Sequence, residues 1–136
     1  MTTTWVRPTH RWLAVAFTAI LVVTVLALAV SGPEWVSYLP LIPLAGLFVS
    51  GLVMLVLVYR GRGRASSGPS ALVRRAHRWS GVVFLVAVAA TVVALSLPEP
   101  IVWVSYLPLF PLAGLLFSGL TMLVTPRLRA RKAARV

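Results

Sequence analysis

The stretch WVSYLPLIPLAGLFVSGLVMLV occupies residues 35–56, and WVSYLPLFPLAGLLFSGLTMLV occupies residues 103–124. Only four of the 22 aligned positions differ: Ile42/Phe110, Phe48/Leu116, Val49/Phe117 and Val53/Thr121. The copies stand 68 residues apart, half of a 136-residue chain. His10-Arg11-Trp12 recurs as His77-Arg78-Trp79, 67 residues on, and a long apolar run follows each. The chain is therefore a tandem duplication of a two-segment unit.

The composition places that duplication in lipid. The sequence is 60 % hydrophobic and only 11 % charged, whereas a soluble domain carries about 25 % charged residues. Too few polar side chains exist to clothe a water-facing surface. The apolar residues also come in unbroken blocks, the pattern of bilayer-spanning segments. The chain holds no cysteine, which excludes disulfides, thiolate metal sites, iron–sulfur clusters and thiol catalysis.

A net charge of +11 could point to nucleic acid, so the placement of the charge decides. The basic residues are Arg7, Arg11, Arg60, Arg62, Arg64, Arg74, Arg75, Arg78, Arg127, Arg129, Arg131, Lys132 and Arg135. All lie in the N-terminal segment, the central connection or the C-terminal tail. The short loops near residues 31–39 and 98–107 carry none, and they hold both acids, Glu34 and Glu99. This is the positive-inside pattern, which puts both termini in the cytoplasm of a bacterial-type inner membrane. Topology and anionic headgroups account for the charge, and nucleic-acid binding is not expected.

The sequence predicts an all-α integral membrane fold, a four-helix transmembrane bundle of two tandem helical hairpins. Repeat 1 spans 10–59, a mobile cytoplasmic linker 60–76, repeat 2 77–125, and a basic tail 126–136. The first apolar run, 12–30, is long enough to cross about 30 Å of hydrocarbon. A signal peptide is the rival reading of that run, but its counterpart at 79–97 sits mid-chain. Ser31-Gly32-Pro33 ends the first crossing. Trp35, Tyr38, Trp103 and Tyr106 suit the outer interface. Residues 35–39 read equally as a short interfacial helix or an extended segment. The second crossing runs from near Pro40 to near Tyr59, and the fourth from about Pro108 to Thr125, stopped by Pro126.

Two sets of residues carry the functional reading. The first is the small-residue pattern Gly46, Ser50, Gly51 and its copy Gly114, Ser118, Gly119. Small residues four apart let helix backbones approach closely in lipid. That reads as packing within one bundle, with a homo-oligomer interface or a ligand path as alternatives. A parallel repeat would relate the hairpins by an axis along the membrane normal. Coupled transporters of this kind keep ionisable residues at the midplane. Here the apolar runs offer only hydroxyls such as Thr18, Thr24, Thr91 and Thr121, which disfavours transport.

The second set is His10-Arg11-Trp12 with His77-Arg78-Trp79. The plain reading is an interfacial belt, with indole at headgroup level and guanidinium to phosphate. The chemical reading is a pair of imidazole ligands, since imidazole binds transition metals and haem iron. RPTHRWLAVAFTAILVVTVLALAVSG at 7–32 resembles the opening helix of PepSY-associated transmembrane proteins, and RRAHRWSGVVFLVAVAATVVALS at 74–96 resembles it too. That resemblance implies haem b and membrane redox chemistry. On it, His10 and His77 would be the axial ligands of the haem iron. Arg11 and Arg78 would pair with the propionates, and Trp12, Trp79, Phe17 and Phe84 would pack the macrocycle edge.

Three functions compete. The reading favoured by small size and by the absence of a soluble domain is a non-catalytic accessory or scaffold subunit. Its partners would be anionic lipid and a larger membrane protein complex, or further copies of itself. The alternative is a b-type haem electron-transfer protein, a membrane oxidoreductase if it is an enzyme. A small transporter ranks last.

Overall fold

The computed structural model describes residues 3–62 and 69–135. Four helices make up the fold: α1 (Thr3–Ala29), α2 (Leu41–Leu57), α3 (Pro69–Leu95) and α4 (Leu109–Ala133). Short 3-10 helices at Glu34–Tyr38 and Val102–Tyr106 precede α2 and α4. Residues 35–39, which the sequence left undecided, are thus mostly helical. No strand occurs among the described residues. The chain divides into two compact units, Met1–Ala65 and Ser66–Val136, and each is one helical hairpin.

In the first unit, α1 packs along α2 in antiparallel register. His10 meets Ser50, Leu13 lies against Gly46, and Thr24 reaches Val36. The second unit repeats the register: His77 meets Ser118, Ser80 lies against Gly114, and Thr91 reaches Val104. A matched pair of apolar side chains sits at the centre of each unit. Phe17 and Val36 form the centre of one, and Phe84 and Val104 the centre of the other.

The turn after α1 shows how the chain reverses. Ser31 adopts φ 61°, and the Gly32 N–H donates back to the Ala27 carbonyl at 2.7 Å. This is a left-handed C-terminal cap that satisfies helix-end carbonyls. A Cβ on residue 32 would stand 2.6 Å from the Ala27 oxygen, so glycine is required there. The second unit uses Pro98-Glu99-Pro100 instead, and the Ile101 N–H donates back to the Ala94 carbonyl at 3.2 Å.

The Thr24 hydroxyl is buried and donates to the Val36 carbonyl at 3.4 Å. Thr91 makes the same link to Val104 at 3.2 Å. Each bond ties the 3-10 segment to the flank of the preceding helix. No buried polar side-chain atom is left unbonded among the described residues, which is the condition for stability in hydrocarbon.

All four helices are long and apolar enough to cross a membrane, as expected of a multi-pass membrane protein. Their outward faces agree. Val22, Val23, Val25 and Leu26 of α1 are each more than half exposed, which water would penalise and lipid does not.

Three boundaries differ from the sequence reading. Helix α1 begins at Thr3, not near residue 12, and contains Pro8. Helix α3 begins at Pro69, inside the expected linker 60–76; residues 63–68 of that linker lie outside the described residues. Helix α4 does not stop at Pro126 but runs on to Ala133. Each proline removes one N–H from the helix ladder, and the helix continues through it instead of ending. Consequently His10 and His77 lie within helices, just before the apolar runs.

Candidate functional site

Each hairpin holds one histidine on its first helix, and that histidine reaches across to the second. His10 Nδ1 lies 2.7 Å from Ser50 Oγ. His77 Nδ1 lies 2.8 Å from Ser118 Oγ. Next to each ring is a glycine of the second helix. A Cβ on Gly51 would sit 3.6 Å from His10 Cε1, and one on Gly119 would sit 3.5 Å from His77 Cε1. The small-residue pattern and the histidine motif are therefore one structure, a clasp between the two helices of a hairpin.

The serine's other bonds fix the direction of the clasp. Ser50 Oγ also stands 2.7 Å from the Gly46 carbonyl and 3.2 Å from that of Leu47. Ser118 Oγ stands 2.6 Å from the Gly114 carbonyl and 3.3 Å from that of Leu115. A carbonyl can only accept, and a hydroxyl has one proton. The serine proton goes to the backbone one turn earlier, so Nδ1–H is the donor to Oγ. With Nδ1 protonated, Nε2 carries the lone pair of the neutral ring.

That assignment separates the chemistry open to the site from the chemistry closed to it. A serine nucleophile needs its proton aimed at a basic nitrogen. Here the proton is aimed at the helix backbone, so the pair is not built as a nucleophile and base. A metal-binding imidazole commonly has its other nitrogen fixed by a hydrogen bond. The tethered Nδ1 fits that requirement. Among the described residues, no three His, Asp or Glu side chains converge on one point.

The remaining expected residues fall outside the clasp. Arg11 and Arg78 follow the histidines and are exposed. Trp12 and Trp79 are also exposed, as an interfacial belt requires. Phe17 and Phe84 are buried in the hairpin cores, so packing within the protein already uses them and they do not offer a macrocycle edge.

Thr24 and Thr91 stand out in the structure more than in the sequence. Their spacing of 67 residues, the same as that of the histidines, was the available signal. No protein-family model, curated protein or solved structure matches the chain.

Proposed function

We propose that the protein is a non-catalytic accessory or scaffold subunit of a larger membrane complex. The carrying observation is that its intramembrane polar side chains are spent on holding its own hairpins together. The histidines bond to serines, the threonines to backbone carbonyls, and each bond stays within one unit. Broad apolar faces remain for lipid or a partner. In this reading the two hairpins form a four-helix bundle in a bacterial-type cytoplasmic membrane, with both termini inside.

Gentle detergent extraction from native membranes, followed by native mass spectrometry, tests the reading. A complex containing a second polypeptide is expected. Recovery only as a bare monomer, or only as a homo-oligomer, overturns it. The topology has its own test. Cysteines replacing Ser37 and Ser105 should react with an impermeant thiol reagent in intact spheroplasts, and one replacing Arg135 should react only after lysis. Reaction of all three from one side contradicts the topology.

One observation favours a second reading, a b-type haem electron-transfer protein. The serine-held Nδ1 leaves Nε2 as the ligand nitrogen in both repeats. His10 and His77 would hold the iron, with Arg11 and Arg78 toward the propionates. Haem would supply one-electron chemistry, and the chain would supply orientation through Ser50 and Ser118. This reading requires a Soret band in protein expressed with ample haem supply, and its loss in His10→Ala and in His77→Ala. Colourless protein leaves the scaffold reading standing.

A further inference from the structure

The two repeats part company at one point. Val56 and Val124 are the last matched pair of the duplicated block. Beyond it, the first unit turns away through Val58–Arg62, where Gly61 adopts φ 73°. The second unit instead continues as helix to Ala133. That helical extension has no counterpart in the first repeat; it carries Arg127, Arg129, Arg131 and Lys132, and Arg135 follows just beyond its end.

The charges are arranged, not scattered. Arg127 and Arg131 stand four residues apart and so share one face of the helix, and Arg135, just past the helix end, lines a cleft with Arg131. Val124, Leu128 and Lys132 form the adjoining row. Val124 and Leu128 are about half exposed. Two adjoining shallow clefts run along this face, and they share Leu128 and Arg131 as a common wall. The row of arginines is thus flanked on its membrane side by bare aliphatic surface.

The ladder repels itself. Like charges four apart each destabilise a helix by a few tenths of a kcal/mol. The only two acids of the chain, Glu34 and Glu99, lie in the loops at the other ends of the helices. An anion from outside the chain would relieve that repulsion. Its level follows from helix geometry. Arg127 lies 18 residues beyond Leu109, or about 27 Å at 1.5 Å per residue. That is close to the thickness of the hydrocarbon core, about 30 Å, so the first arginine stands at headgroup depth.

We infer that this face of α4 is a binding site for an anionic phospholipid. The phosphate sits between Arg127, Arg131 and Arg135, and an acyl chain lies along Val124 and Leu128. A nucleic acid or soluble polyanion would use the charges but has no use for the aliphatic row. The inference rests on the membrane reading, and the test separates the two.

The full-length protein is reconstituted in nanodiscs of mixed zwitterionic and phosphatidylglycerol lipid, and retained lipid is counted by native mass spectrometry. Selective retention of phosphatidylglycerol is expected. The triple variant Arg127→Gln/Arg131→Gln/Arg135→Gln should lose it roughly a hundredfold, at about fivefold per arginine. Arg60→Gln/Arg74→Gln, which removes charge elsewhere, should not. Leu128→Gln should weaken retention of long-chain lipid while leaving binding of inorganic pyrophosphate unchanged.

Equal loss in the Arg60/Arg74 control would reduce the effect to net charge and overturn the site. Displacement of the lipid by an RNA oligomer or by pyrophosphate at comparable concentration would overturn it as well. Failure of the wild-type chain to enter nanodiscs would instead sink the membrane reading.

Discussion

Gly46→Leu and Gly114→Leu are each expected to lower the melting temperature in detergent, at a cost of about 1–3 kcal/mol typical of overpacked interiors. The reason is the space at the two positions. A Cβ on Gly46 would stand 3.0 Å from Leu13 Cδ1, and one on Gly114 would stand 2.8 Å from Ser80 Oγ. A single methyl can be absorbed by rotation of those side chains. The three further carbons of leucine cannot, and the helices of the hairpin must separate. Gly51→Ala is the contrast. Its Cβ would make an ordinary contact with His10 Cε1 at 3.6 Å, and alanine favours helix by up to about 1 kcal/mol. It should melt at or above the parent temperature. Arg60→Gln should leave the melt unchanged. A series in which Gly46→Leu and Gly51→Ala behave alike would show that α1 does not press on α2 where the register places it.

The second large effect belongs to the histidine–serine clasp. Ser50→Ala removes the hydroxyl that His10 Nδ1 meets, and Ser118→Ala does the same to His77. Losing one such bond costs about 0.5–1.5 kcal/mol. A double-mutant cycle with His10→Leu should return a coupling of about 0.6–1.7 kcal/mol, the range found for hydrogen bonds between membrane helices. The direction of the bond gives a sharper test. Nδ1–H donates to Oγ in the neutral ring and still donates in the imidazolium. The coupling should therefore persist between pH 8 and pH 5. A coupling that vanishes in acid would mean that protonation of the ring breaks the clasp, which a ring donating from Nδ1 does not allow.

The sequence and the structure agree where hydrophobicity speaks and diverge where it is silent. The duplicated block, the four apolar runs and the start of α2 at Leu41 after Pro40 were all legible, because lipid demands long unbroken apolar segments. The extensions of α1 to Thr3, α3 to Pro69 and α4 to Ala133 were not. Arginine, lysine and alanine are good helix formers, but an exposed basic helix shows no apolar periodicity, and Pro8 and Pro126 read as stops. The clasp was half-legible. Its members, His10 with Gly46, Ser50 and Gly51, and His77 with Gly114, Ser118 and Gly119, were all picked out. Their meeting was not, since a bond spanning 40 residues in one unit and 41 in the other leaves no local pattern.

The near-identity of the two blocks bears on how the chain reaches its native pairing. The α2 positions that meet Leu13 and His10 of α1 are duplicated on α4: Gly46 by Gly114, Ser50 by Ser118, Gly51 by Gly119. Contact chemistry at these positions cannot tell α1 which partner is its own. Connection length can. Eleven residues separate Ala29 from Leu41, and 79 separate Ala29 from Leu109. For a flexible chain that difference disfavours the distant pairing by about 1.7 kcal/mol of closure entropy. Synthesis order works the same way, because α2 leaves the ribosome while α4 is still unmade. Correct assembly therefore depends on vectorial biogenesis and a tight first turn. Lengthening the Ser31-Gly32-Pro33 connection should let the chain mispair with itself even though no native contact has been altered.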